Sequence, residues 1–295
     1  FFTMKKHHTL SEILHTATRE RWAVGHFNIS NAEQLNAIVV ASRAKKSYIM
    51  IGLSEGERAH VGLHVAVALA RAYEEEFDMP MFLNADHSKT VEAALAAASA
   101  GFNSIHIDAS EHPYEENIRM TREVVLGAKK ISPLISVEGE LGFVPGESKS
   151  DDTNISVQSS MYTNPDQVAD FIEKTGVDRL AVFIGNVHGL HKDEPKIDLR
   201  RIRDIRIFVP PEVSLVLHAG SGIPDEDIKS AISGGIANIH INTDIRVAFT
   251  NALRTAIIEN PNETTPYKLV TGAMDAVQAT VENKISLFGG ENRVY

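Results

Sequence analysis

Three histidines stand directly after short apolar runs in this 295-residue chain: His87, His188 and His218. Three neutral imidazoles on one divalent cation leave a coordination position open, the arrangement of a catalytic rather than a structural site. A substrate oxygen can take that position, and the ion then stabilises negative charge growing on it. The chain has no cysteine, so nitrogen and oxygen are the only ligands on offer, and thiolate and disulfide chemistry are excluded. Asp108 and Glu140 also close apolar runs; each could orient an imidazole N–H or offer the ion an alternative seat. A lone histidine at such a place is more often a hydrogen-bonded structural residue than a ligand. Three at equivalent places, the first preceded by Asp86, weaken that reading. Zinc is the expected metal, and cobalt or manganese would accept the same donors.

A second feature adjoins the third histidine. The run His218-Ala219-Gly220-Ser221-Gly222 leaves one apolar stretch, and Asn242-Thr243-Asp244 leaves the next and opens a helical pattern. Backbone N–H groups at a helix start, reached past small residues, bind phosphate. A tight turn that needs glycine explains the same run when it is taken alone. Its place beside a metal ligand favours the cradle.

Both features need a frame that gathers strand ends. Apolar, β-prone runs fall at 22–27, 48–53, 81–84, 104–107, 134–137, 180–184, 214–217 and 238–241, with helical patterns between them. Strands separated by single helices pair in parallel through right-handed crossovers. Eight such units predict a (β/α)8 TIM barrel with an extra C-terminal helix, a single domain over residues 1–295. A doubly wound sheet is the rival, but no GxGxxG follows the first strand. In a barrel the strand C-termini carry the active site. The polar stretch 142–162 breaks the rhythm and reads as a mobile active-site loop.

Composition bounds the partners. Hydrophobic residues at 43% suit a chain with a real core, and a net charge of −10 argues against nucleic acid. No apolar run reaches a membrane span and no signal-peptide pattern is legible at the start, so the expectation is a cytoplasmic protein acting on a small molecule.

At the motif level the chain resembles the class II, metal-dependent fructose-bisphosphate aldolases and the related tagatose-bisphosphate aldolases. The stretches that carry the likeness include WAVGHFN (22–28), SEGER (54–58), LNADHS (83–88), VEGELG (137–142), TGVDRLAVFIGNVHG (175–189), LVLHAGSGIP (215–224) and INTDIRVAF (241–249). The resemblance implies that His87, His188 and His218 bind the metal, and that Asp86 is the acid/base at the aldehyde oxygen. It gives Gly189, Ala219, Ser221, Asn242 and Thr243 to the phosphate of dihydroxyacetone phosphate, Ser54 to the distal half of the sugar, and Asp108 and Glu140 to the metal's inner position. It further implies a loop glutamate, for which Glu147 is the candidate ahead of Asp151 and Asp152. A monovalent cation, glycolytic carbohydrate metabolism and a homodimer or homotetramer complete what it implies.

Three positions depart from the family's pattern. His240 replaces an asparagine that stabilises the enediolate oxygen; a neutral histidine there would donate a hydrogen bond or join the metal. Ala219 replaces a glycine but keeps the backbone donor. Tyr267 stands where relatives have an arginine for the second phosphate, which leaves Lys268 as a point-charge substitute.

Other chemistries fit less well. A Schiff-base aldolase needs a desolvated lysine at a strand end, whereas Lys89 and Lys192 fall in loops. A metal-dependent hydrolase on this fold would be expected to show an HxH pair on the first strand, which offers only His26. A non-catalytic sugar-phosphate-binding barrel is the reading that His240 and the altered loop would support.

Overall fold

The structure, a computed structural model, describes residues 8–150, 156–191 and 195–294. Eight strands close a parallel barrel in the order β1 (Val24–Asn28), β2 (Ile49–Leu53), β3 (Phe82–Ser88), β4 (Ser104–Ile107), β5 (Ser136–Leu141), β7 (Arg179–Val182), β9 (Ser214–Leu217) and β10 (Ile236–Ile241). The other two, β6 (Gly146–Ser150) and β8 (His188–Leu190), form a separate parallel pair. Around the barrel run α2 (Ala32–Lys45), α3 (Glu55–Val61), α4 (Leu63–Phe77), α5 (Val91–Ala100), α6 (Tyr114–Ile131), α7 (Pro165–Thr175), α8 (Leu199–Ile207), α9 (Asp225–Gly234) and α10 (Thr243–Glu259). The expected extra C-terminal helix is α11 (Pro266–Leu287), which packs on α10 and α2. The fold is a (β/α)8 barrel.

Local sequence sets the helix boundaries. Thr90 caps α5 by accepting from the Ala93 N–H, and Asn164 with Pro165 starts α7, which Gly176 ends in the left-handed region. A helix the strand count did not call for, α1 (Leu10–Glu20), packs Leu10, Ile13, Leu14 and Ala17 against Trp22, Val24, Met50 and Phe82. The main apolar layer lies between strands and helices. The inward faces differ: Asn84, Ser104, His106, Glu138 and Arg179 are all buried there.

Two strands run further than apolar runs predict. β3 continues to Ser88 and β5 to Leu141, so Asp86, His87, Glu138 and Glu140 sit on strands rather than in loops. Residues two apart share a face, which aims Glu138 and Glu140 the same way. The 142–162 segment also differs from a plain loop. Its β6 pairs with β8 at Gly146 with His188 and Ser150 with Leu190, and a 3-10 turn covers Ser159–Met161. Gly189 makes this pairing feasible: its φ is 104°, and an added Cβ would press on the Glu147 and Lys149 carbonyls. Asp151, Asp152 and Lys192 lie outside the described residues.

Candidate active site

A cavity of 230 Å³ opens at the C-terminal ends of the strands. Asp86, His87, His188, His218, Ser221, Asn242 and Thr243 line it. Ser54, Glu147, Gly189, Ala219 and His240 also face it. Asn28 and Arg246, which sequence reasoning did not single out, complete the wall. Gly220, Asp108, Glu140 and Lys268 are not part of that wall.

Two imidazoles are oriented from behind by carboxylates. His87, held at φ 45° at the end of β3, donates from Nδ1 to Asp108 Oδ2 at 2.8 Å. His218 donates from Nε2 to Glu138 Oε1 at 2.6 Å. Ionised carboxylates only accept, so the ring protons lie on those nitrogens. The opposite nitrogens, His87 Nε2 and His218 Nδ1, face each other at 3.0 Å. One positive charge between them, a proton on His87 Nε2 or a metal ion in its place, satisfies both nitrogens at that distance. Imidazole nitrogens sharing a tetrahedral zinc stand about 3.3 Å apart, which these rings nearly meet. Ligand atoms of Asp86, His87, His106 and His218 fall within 4.8 Å of one another. The donor set fits a divalent cation.

His188 is not in that compact set; its ring lies 5.1 Å from His87 and 6.3 Å from His218 between centroids. Rings that share one tetrahedral ion have centroids about 5 Å apart, so the His87 spacing is suitable and the His218 spacing slightly wide. His106 is closer, 4.7 Å from His87 and 4.8 Å from His218. One of its nitrogens is committed, however, while the other has no hydrogen-bond partner. Nδ1 accepts the His87 backbone N–H at 3.2 Å, and Nε2 faces Glu140 Oε2 at 3.4 Å. His106 therefore braces the left-handed backbone of His87, and His188 keeps the freer ring.

Protonation follows the surroundings. Burial, with His240 beside it, holds His218 well below the usual histidine range, and burial with the His87 charge pushes His188 down to about 3. Both rings thus keep the lone pair that a metal needs. Burial also works against charge on His87, but Asp86 and Asp108 outweigh it and move that ring upward. Burial and the Asp108 charge raise Glu140. Burial resists ionisation of Glu138, yet the Arg179 guanidinium keeps it low.

Asp86 is anchored by one oxygen: Oδ2 accepts from Asn28 Nδ2 at 3.0 Å, while Oδ1 lies 3.3 Å from His240 Nδ1. His240 stacks on His26 at 3.6 Å, and its Nε2 lies 3.2 Å from Asn238 Oδ1. Asn238 Nδ2 donates to the Val24 carbonyl, which fixes Oδ1 as the acceptor and puts the His240 proton on Nε2. His240 thus turns Nδ1 toward the Asp86 carboxylate.

The cradle is narrower than expected. The Gly220 N–H already donates to the His240 carbonyl at 2.9 Å, so it is committed to holding β9 and β10 together. Ser221 Oγ accepts the Asp244 N–H at 3.1 Å, and Asn242 Oδ1 is buried without a partner at the start of α10. Ala219 keeps its place but at φ 54°, a left-handed conformation costly to any residue with a Cβ. Lys268 is half exposed and paired with Glu263 at 3.2 Å, away from the cavity. Lys89 Nζ is paired with Asp108 at 2.8 Å. Arg246, one turn into α10, lines the cavity and reaches Glu57 Oε1 at 2.6 Å. Glu57 in turn accepts from Asn28 and from the Ser54 N–H. Glu147 extends from β6, mostly exposed, with Lys149 at 3.3 Å.

A closed parallel barrel with a buried histidine–carboxylate centre at its C-terminal face is an enzyme of the (β/α)8 kind, its chemistry set by strand-end residues. The sequence model of class-II fructose-bisphosphate aldolases matches residues 8–293. A fructose-bisphosphate aldolase of Geobacillus stearothermophilus is 37% identical over 97% of this chain and 98% of its own length. The YdjI aldolase of Escherichia coli K12 superposes with a TM-score of 0.79 at 33% identity, covering 98% of this chain and 99% of that one. The fructose-bisphosphate aldolase of Campylobacter jejuni, at 21% identity over 96% of this chain and 95% of that one, shares the fold with a TM-score of 0.81. The chain belongs to the class-II fructose-bisphosphate aldolase family of metal-dependent lyases.

Proposed function

We propose that the chain reversibly cleaves a ketose 1,6-bisphosphate, fructose 1,6-bisphosphate foremost, to dihydroxyacetone phosphate and glyceraldehyde 3-phosphate. The observation that carries this reading is one cavity faced by Asp86, by the histidine cluster and by the start of α10. His87, His188 and His218 would hold a zinc ion, which supplies Lewis-acid stabilisation of the negative charge collecting on the ketone oxygen as the bond between carbons 3 and 4 breaks. Asp86 takes the proton of the carbon 4 hydroxyl in cleavage and returns it in condensation. Its anchor on Asn28 keeps the other oxygen free to do so. Gly189, Ala219, Ser221, Asn242 and Thr243 receive the first phosphate at the start of α10. For the second phosphate Arg246 replaces Lys268 as the candidate, because it is the one Lys or Arg on the cavity wall among the described residues. Ser54 faces the same half, and Glu147 at the mouth exchanges the carbon proton.

The test is triose phosphate release from fructose 1,6-bisphosphate, with tagatose 1,6-bisphosphate run beside it. Chelation should abolish release and zinc restore it. Asp86→Asn should retain zinc yet lose roughly 10²- to 10⁴-fold in rate. Release from tagatose bisphosphate alone moves the assignment to the carbon 4 epimer, and release from neither, with zinc bound, rejects it.

A further inference from the structure

The interior of a (β/α)8 barrel is ordinarily filled by layers of branched apolar side chains. Here a guanidinium occupies it. Arg179, the first residue of β7, is 1% exposed, and its Nη1 lies 2.7 Å from Glu138 Oε2. Nε donates to Ser136 Oγ at 3.1 Å, Nη1 to Asn238 Oδ1 at 3.4 Å, and Nη2 to Ser104 Oγ and to Asn84 Oδ1. These partners come from β3, β4, β5 and β10. A buried charge is costly unless it is paired and its donors are used, and polar filling stabilises a barrel less than leucine or valine would. The polar layer needs another reason.

That reason lies one bond further up the axis. Glu138 is fully buried, and its Oε1 accepts the His218 Nε2 proton at 2.6 Å. Its Oε2 makes no hydrogen bond of its own, so the ion pair with Arg179 is what fixes the carboxylate's rotation. The same guanidinium shares Asn238 Oδ1 with His240 Nε2 and touches Asn84, whose Nδ2 donates to His26 Nε2. We infer that Arg179 is a positioning residue for the metal ligand His218: it sets Glu138 so that the His218 proton stays on Nε2 and the Nδ1 lone pair faces the ion. The inference rests on reading His218 as a ligand. A planar fork is required, since a lysine ammonium cannot reach acceptors on four strands at once.

The experiment measures zinc affinity by chelator competition, with the visible spectrum of the cobalt-substituted protein, on the full chain. The variants are Arg179→Met, Arg179→Lys, Glu138→Gln and the double Arg179→Met/Glu138→Gln, which leaves no unpaired buried charge and keeps the test available should Arg179→Met fail to fold. Arg179→Met should weaken zinc binding roughly 10- to 100-fold and alter the cobalt spectrum. Arg179→Lys should recover part of the loss. The double variant should bind no more weakly than Glu138→Gln alone, because Arg179 acts through Glu138. Wild-type affinity in a folded Arg179→Met or in the double variant overturns the inference, as do losses that add. An unaltered chain without zinc affinity rejects the ligand reading itself, and the inference with it.

Discussion

Where the protons sit on the facing imidazoles decides how the centre responds to pH. A metal displaces any proton held by its ligands, so each ligand protonated in the free protein weakens binding by about tenfold per pH unit. His188, pushed down to about 3, and His218, also lowered, are already neutral at pH 5, whereas His87 is raised above 6.5. From pH 7 to 5 only His87 should therefore release a proton on binding. We expect zinc affinity, measured by competition titration, to fall with a slope near one in logarithm per pH unit; a slope near three would mean the three rings titrate alike. The sequence exposed His87 and His218 because each ends an apolar run. His106 was hidden inside SIHI, although strand alternation puts it on the face of Asp108 and could have found it. Arg246 was hidden by its distance along the chain from the residues it meets, and only closure of the barrel brings it near Ser54.

At the scale of elements, apolar runs located all eight barrel strands and the C-terminal ends of β2, β4, β9 and β10, but not those of β3 and β5. Hydrophobicity fades where chemistry begins, so β3 and β5 looked short. The β6 and β8 pair left no periodic signal, since its strands are short and largely polar. Close strand packing also constrains single positions. Gly52 of β2 lies opposite Asn28 of β1, and a Cβ there would overlap the His26 ring and meet Asn28 Oδ1 at 3.0 Å. His26 cannot retreat, because its other face stacks on His240. Gly52→Ala should destabilise the fold by about 1–3 kcal/mol, read from denaturant midpoints. Since Asn28 anchors Asp86, the same variant should slow turnover more than it lowers zinc affinity. Unchanged stability would show that β1 and β2 yield more than packed strands usually do.

For the whole molecule, the formal charge of −10 favours solubility, yet apolar side chains are exposed at several helix ends, among them Ile131, Ile207 and Phe208, and at the turn between α10 and α11. Ile257 and Ile258 end α10 at 51% and 77% exposure, and Tyr267 begins α11 at 69%. Scattered apolar residues on a surface need no explanation, and three of them near the junction of two packed helices offer one place to test for contact between copies. The homo-oligomer that the family resemblance implied is an expectation to be tested at this turn. Ile258 is largely exposed, so Ile258→Glu should change the monomer's stability by less than about 0.5 kcal/mol. Across a two-fold interface the same change places two carboxylates against apolar partners, or against each other, without compensation. Size-exclusion chromatography with light scattering should therefore show a dimer or larger for the unaltered chain and a shift toward monomer for the variant. Circular dichroism and the thermal midpoint should confirm that the variant stays folded. An unaltered chain that runs as a monomer, or a variant with the same mass as its parent, would place the contact elsewhere and leave this apolar turn as ordinary surface.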